Sequence, residues 1–431
     1  MERNCQIDSA SASPIFMLQH QDLMAALQSF SEKIHPWYPI LESTFSRVVE
    51  ACLKSSFEPS TDSFLVLMVL GSGAVAQAHT HSTALHDRPD LMYLTTALRM
   101  MHLIVLEQSL RSLQCLAAAS IHYYLLLKPL QAHDLAVLAI KKAQDLYFTG
   151  AFKNDRRNLE HLVRVYRSVL LIEGELVVPL KLAESNASEY EEDIPLPSGI
   201  DIWSFEIEPA TPDMSSTGSI GSPPSDQLAT YLLAQIAMRR MLRRNTTAIT
   251  LSARGTFEYA PMIARELEEQ VHHWYSLLPE SFRFLPTSNP PDEERSPQTT
   301  FLCTQYWAYL VSIAWSSVVK IIDSQDMAVE LQDQCRAYFQ YYHEFIKSAT
   351  SALTTCLPNK WTLYASIFAI SIGANMAASN PLLASLATPE TWTTLRHACD
   401  AFGDESEYSP SLQAMRQDLE KTLSSLPNEH Q

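Results

Sequence analysis

Glycine is scarce in this chain, 10 residues in 431, against 24 prolines. So few glycines exclude Gly-rich phosphate loops and argue against all-β architectures, whose tight turns need positive φ. Charge is thin too, at 18% of residues, and lopsided, with 31 Lys and Arg against 48 Asp and Glu. The net charge of −17 repels a polyphosphate backbone, so the bulk of the chain is not an obvious nucleic-acid binder. The seven cysteines, at positions 5, 52, 115, 303, 335, 356 and 399, are dispersed and form no CxxC or comparable zinc spacing. Such an odd, scattered set is expected to be reduced, as in an intracellular protein. The start MERNCQIDSASASP lacks the basic and apolar regions of a signal peptide. Leu65–Ala78 is short of the roughly 20 apolar residues that cross a bilayer. Leu363–Ala378 is interrupted by Ser366, Ser371, Gly373 and Asn375. The expectation is a soluble chain without membrane association. No GxSxG, HExxH, GxGxxG or P-loop pattern is present, and no carboxylate pair is placed for acid–base work. Nothing here argues for an enzyme, so no catalytic residue, cofactor or metal is assigned.

What is present is helical periodicity nearly throughout. In 260–278, Ile263, Leu267, Val271, Trp274 and Leu278 recur at spacings of four, four, three and four, while Arg265, Glu266, Glu268 and Glu269 face out. Segment 226–245 opens with Ser225 as a cap and Asp226 at the positive helix start; Leu228, Tyr231, Leu232, Met238 and Leu242 form its apolar face. Further helices are expected near 17–33, 41–54, 61–78, 90–106, 109–126, 130–148, 156–182, 299–324, 327–355, 359–378, 383–401 and 408–424. The class is all-α, a single large multi-helix domain with one long acidic loop. No fixed repeat appears, which excludes a readable helical-repeat array. Two stretches interrupt the pattern. Residues 183–225 are acidic, hold no Lys or Arg, and end in Ser, Gly and Pro; residues 286–297 are proline-rich. They read as surface connectors. The organisation is thus an N-terminal segment 1–34, a helical block 35–182, a connector 183–225 and a second block 226–425.

Several residues are candidates for something sharper. His79, His81 and His86 fall within eight residues, but no Cys or Glu completes a metal set nearby, and an exposed connector is the plainer reading. His122, beside Tyr123 and Tyr124 on an apolar helix, suits a core position. His272 and His273 precede Trp274, and only one of them can share its face. Arg239, Arg240, Arg243 and Arg244 make the one dense basic cluster, with Arg240, Arg243 and Arg244 in one helical sector. Phosphate binding is conceivable there, and pairing with the abundant carboxylates is the preferred reading. Trp203, Phe205 and Ile207 alternate with Asp201, Glu206 and Glu208, as in an acidic-hydrophobic segment that offers aromatics to a partner groove. The competing and preferred reading is a loop whose aromatics pin it to the helical body.

HPWYPILESTF at 35–45 resembles the proline-turned opening of the regulatory domain of fungal zinc-cluster transcription factors. LVLMVLGSGAVA (65–76) is similar to that family's apolar helix, and SLRSLQCLAAASIHYYLLLKPLQAHDLAVLAIKKAQDL (109–146) to its helix pair. RVYRSVLLIEGELVVPL (164–180) with EEDIPLPSGI (191–200) resembles its next helix and IPLP loop. YLLAQIAMRRMLRRN (231–245) and ELEEQVHHWYSLLPESFRF (266–284) resemble its arginine-bearing helix and its WYxxLP helix. The order of six motifs spans about 35–425. Arg167 stands where the family often has Trp, and AWSSV replaces an Arg-Pro pair late in 299–324. The resemblance implies a nuclear transcription regulator, commonly of a metabolic or secondary-metabolite pathway. In the family a six-cysteine zinc cluster precedes this domain; residues 1–34 hold only Cys5, so the DNA-reading module is expected to be missing. Regulation would then run through other regulators or co-activators, without specific DNA binding by this chain. A small-molecule effector and a homo- or heterodimer are open within this reading. An incomplete gene model and a helical pathway enzyme or small-molecule binder on the same fold are the alternatives. Pro36 and Pro39 are expected to aim Trp37 or Tyr38 at the 61–78 helix, with Phe45 locking the next turn.

Overall fold

A computed structural model describes residues 20–78, 88–182, 185–186, 189–198, 203–204, 225–253, 261–284 and 295–424. These residues form fifteen α-helices and three short 3-10 turns, with no strand among them, so the chain is all-α. They cluster into two compact units, Met1–Leu233 and Ala234–Gln431.

The first unit holds α1 (His20–Lys33), α2 (Phe45–Lys54), α3 (Thr61–Ala78), α4 (Leu91–Leu98), α5 (Met101–Leu106), α6 (Leu110–Leu125), α7 (Pro129–Phe148) and α8 (Arg156–Leu180). Helix α3 is apolar on every side, and a helix of that kind has to be enclosed. Phe64 to Leu70 are all buried, and α1, α4 and α6 surround it. Its composition would suit a membrane span, as would that of α13 below, but 72% of its apolar window is buried in the helical body. Ser109 opens α6 with a reciprocal capping box to Ser112, and Asp155 caps α8 through the Asn158 amide. Pro129 starts α7, where the missing N–H costs nothing.

The proline corner ahead of α2 is fully packed. Trp37, Tyr38, Ile40 and Phe45 are all buried. Trp37 meets Tyr231 edge-on at 5.5 Å between ring centroids, so one partner of its ring lies on the helix after the connector. That helix, α9 (Ser225–Ala253), runs from the first unit into the second and extends well beyond the expected end at 245.

The second unit continues with α10 (Pro261–Ser276), α11 (Pro297–Ser324), α12 (Val329–Thr355), α13 (Lys360–Ser379), α14 (Pro389–Asp400) and α15 (Pro410–Ser424). Helices α11 and α12 form a long antiparallel pair closed by Gln325 in the left-handed conformation. Tyr338, Tyr342 and Trp361 are buried between α12, α13 and their neighbours, and Tyr342 shares a hydrogen bond with Ser371 at 3.1 Å. Trp274 on α10 donates its indole N–H to the Ala234 carbonyl.

Two boundaries differ from expectation. The 90–106 stretch breaks after Leu98, which turns Met100 and Ile104 into the core. The 383–401 stretch begins as a 3-10 turn, and α14 starts only at Pro389, in the first turn where a missing N–H costs nothing, after the capping residue Thr388.

Candidate functional site

Helix α8 begins polar. Glu160, Arg164 and Arg167 stand four and three residues apart, which places them along one side of the helix. The chain uses this line to hold two otherwise irregular segments. On one side is the corner at 35–42. His161 donates Nε2–H to the Ile40 carbonyl at 2.9 Å, and Arg164 Nη2 donates to the Leu41 carbonyl at 2.7 Å. On the other side is the loop after α8. Buried Arg167 donates to the carbonyls of Glu191 (2.8 Å), Ile194 and Pro195 (3.4 Å), and its other guanidinium nitrogen lies 3.6 Å from the Glu191 carboxylate. The Glu160 carboxylate accepts from both the amide and the hydroxyl of Ser198. Tyr147 donates to the Asp193 carbonyl.

A cleft of about 930 Å³ opens where α2, α6 and α8 begin, lined by Glu42, Thr44, Arg111, Gln114, Asp155, Arg157, Glu160, His161 and Arg164 among others. Its polar groups are held in place. Arg111 pairs with Glu42 at 2.8 Å and Asp62 at 2.7 Å, and Gln114 bridges the Ile40 carbonyl and Glu42. That volume falls within the usual range for small-molecule sites.

Burial sets the protonation here. His35 accepts the Leu41 N–H on Nε2 at 3.3 Å, and burial, then the charge of Arg164, lowers its pKa to about 3. Burial and Arg164 depress His161 likewise. Burial alone would raise the Glu42 carboxyl, but Arg111 and Gln114 together hold it well below the usual carboxylate range. The sign follows directly. Between pH 6.5 and about 3 the unfolded chain binds protons that the folded histidines refuse, so stability falls as pH drops below 6.5. Glu42 adds to the loss once pH falls below its ordinary value of 4.5. At pH 5, His35 alone accounts for about 2 kcal/mol, from 1.36 kcal/mol per pH unit. Urea unfolding at pH 7.5 and 5 should show that fall, and His35→Gln, which keeps an acceptor for Leu41, should reduce it by roughly half, leaving the His161 share. Equal midpoints at both pH values would remove this account.

The structure brings Ser72, His122 and Asp90 into line. Ser72 Oγ lies 3.0 Å from His122 Nδ1, and Asp90 Oδ2 lies 3.1 Å from Nε2. Arg88 clamps Asp90 through two bonds of 2.8 Å. All three members of the line are at most 1% exposed. A nucleophile needs access to substrate as well as a base, and this row is sealed in the core, where it fastens α3, α4 and α6.

Of the residues singled out by sequence, Trp203 is fully buried, with the Arg164 guanidinium 5.3 Å from its ring centroid. Phe205 and Ile207 lie outside the described residues, as do His79, His81 and His86. Arg240, Arg243 and Arg244 stand on α9; the first two are half-buried and Arg244 is exposed. His272 and His273 are both exposed, and Tyr306 is 2.8 Å from His272 Nδ1. Among the described residues no three His, Cys, Asp or Glu side chains gather as a metal site would require. The α8 line was not singled out from sequence. Its signal was there, in charged residues recurring at 160, 164 and 167 on an expected helix.

Fold and site define a large all-helical body with a polar cleft and, among the described residues, no assembled reaction centre. The chain is similar to the protein described as "Putative transcription factor ecdB" from Aspergillus rugulosus, with 31% identity over 437 aligned positions that take in 96% of this chain and 74% of the relative. It belongs to that transcription-factor family. No family model matches the chain. No solved structure matches it either.

Proposed function

We propose that this protein regulates transcription in the manner of the regulatory domain of fungal zinc-cluster factors, acting in the nucleus through protein partners on a metabolic or secondary-metabolite gene set. The observation that carries the reading is the match along nearly the whole chain to a relative named as a transcription factor. Charge supports the partner route. At −17 the chain is repelled by duplex DNA, and of its densest basic cluster Arg240 and Arg243 are half-buried. On this reading the helical body makes no sequence-specific DNA contact. The cleft favours one further element, a small-molecule effector seated between Arg111, His161 and Arg164.

The test is a tethered reporter. Fused to an unrelated DNA-binding domain in an Aspergillus host, the chain should change transcription of a reporter carrying the cognate sites several-fold, up or down. An expressed, nuclear fusion that leaves the reporter unmoved would defeat the proposal. Nanomolar, sequence-dependent binding of the unfused protein to duplex DNA in ~150 mM salt would defeat the partner route while keeping the regulator.

A further inference from the structure

An exposed aromatic pair, Phe148 and Tyr190, forms where α7 meets the loop that Arg167 holds, and Leu196 is exposed on the same loop. Phe148, at the end of α7, is 52% exposed, and Tyr190 and Leu196 in the loop are 37% and 44% exposed. The Phe148 and Tyr190 rings meet at 5.3 Å between centroids, and Tyr147 packs edge-on against Phe148 at 5.4 Å. The Tyr147 hydroxyl reaches the Asp193 carbonyl, so the loop lies across the end of α7. Leu196 follows Asp193 by three residues, within about 10 Å along the chain.

On the loop side of this centre the charge has one sign, whereas Lys153, Arg156 and Arg157 are exposed on the chain that follows Phe148. Glu189, Glu192 and Asp193 are exposed, and no Lys or Arg occurs anywhere in 183–225. Glu191 does not contribute, since it is buried against Arg167. The backbone beneath is fixed. Arg167 takes the carbonyls of residues 191, 194 and 195, Glu160 grips Ser198, and Pro195 and Pro197 restrict φ on either side of Leu196. A loop fixed in this way exposes its apolar side chains without paying further ordering entropy on binding, which favours a preformed docking surface.

We propose that Phe148, Tyr190 and Leu196, flanked on the loop by Glu189, Glu192 and Asp193, dock a basic amphipathic helix of a partner protein. The complement of an apolar centre with an acidic flank is a helix carrying apolar anchors at i, i+3, i+4 and i+7 and Lys or Arg beside them. The inference rests on the partner-mediated reading and places its contact at 148 and 189–196, since Trp203 is buried.

The test uses the full chain and a labelled synthetic helix with Leu and Trp at those anchor positions and Lys elsewhere, followed by fluorescence anisotropy in ~150 mM salt. Wild type should bind it at least tenfold more tightly than it binds a peptide of the same composition with the anchors scattered. Phe148→Ala with Leu196→Ala, and separately Glu189→Lys with Glu192→Lys, should each weaken binding roughly tenfold. Asp418→Lys with Glu420→Lys on α15 should leave it unchanged. All of these positions are exposed, and unchanged melting temperatures confirm folding. Equal weakening by the α15 pair would show diffuse charge attraction and overturn the proposal, as would binding indifferent to the loop pairs. Because the assay needs no reporter, its failure is separable from failure of the regulator reading.

Discussion

Gly73→Ala is expected to cost the first unit about 3 kcal/mol or more and to lower its melting temperature by roughly 10 °C. A Cβ at position 73 would stand 2.0 Å from the Ala26 carbonyl oxygen and 2.7 Å from its carbon. The obstacle is the backbone of α1, which crosses α3 at this point, so no side chain can swing aside and α1 must move bodily. The gain in helix propensity from Gly to Ala, about 1 kcal/mol, works the other way and is too small to offset the displacement. Two further variants identify the cause. Adding Ala26→Gly removes a side chain but leaves the carbonyl in place, so the double variant should be at least as unstable as the single one, with no rescue. Gly71→Ala brings its Cβ to 3.3 Å from the Tyr93 Cβ and 3.6 Å from the His122 ring. The His122 distance is an ordinary contact and the Tyr93 one is tight by only a few tenths of an ångström, which a small shift of α4 relieves, so its melting temperature should stay within a few degrees of wild type. A stable Gly73→Ala protein in far-UV circular dichroism would mean that α1 does not pack on α3 as described.

The same helix shows how far the sequence could be read. The apolar run 65–76 and the proline corner were legible because each depends on local rules, continuous hydrophobicity in one and fixed φ in the other. Which of two glycines admits a neighbouring backbone was not, since that depends on where α1, some forty residues earlier, crosses. Helix ends followed the same division. Pro389 could have been read as the start of α14, whereas the break at Met100 answers to burial of Met100 and Ile104 and carries no proline or glycine. The candidate site was the least legible part. His161 and Arg164 find their partners at Ile40 and Leu41, more than a hundred residues away, and the Trp37 ring finds Tyr231 across the connector. Periodicity reports which face of a helix is buried, and says nothing of what lies against it.

Arg167→Met should release the loop at 189–198 and cost about 3–5 kcal/mol locally, the penalty for removing one member of a buried ion pair. Arg167 is 1% exposed and Glu191 5%. Methionine fills similar volume, so the loss is electrostatic and not one of packing. It leaves the Glu191 carboxylate without the guanidinium and takes their donor from the carbonyls of Glu191, Ile194 and Pro195. A buried charge in that condition draws water in or leaves the core, and either route detaches the loop from α8. The effect should appear first as local opening. Amides near 191–194 should exchange with solvent orders of magnitude faster, and a protease specific for acidic residues should cut between Glu189 and Asp193, while α3 and α6 keep their protection. Arg167→Lys retains the charge but cannot donate to three carbonyls at once, and should fall between the two. Adding Glu191→Met to Arg167→Met removes the stranded carboxylate, so the double variant should recover part of the loss; the size of that recovery measures the coupling. If Arg167→Met leaves exchange at 191–194 unchanged, Arg167 does not hold the loop, and the preformed surface around Tyr190 and Leu196 loses its physical basis.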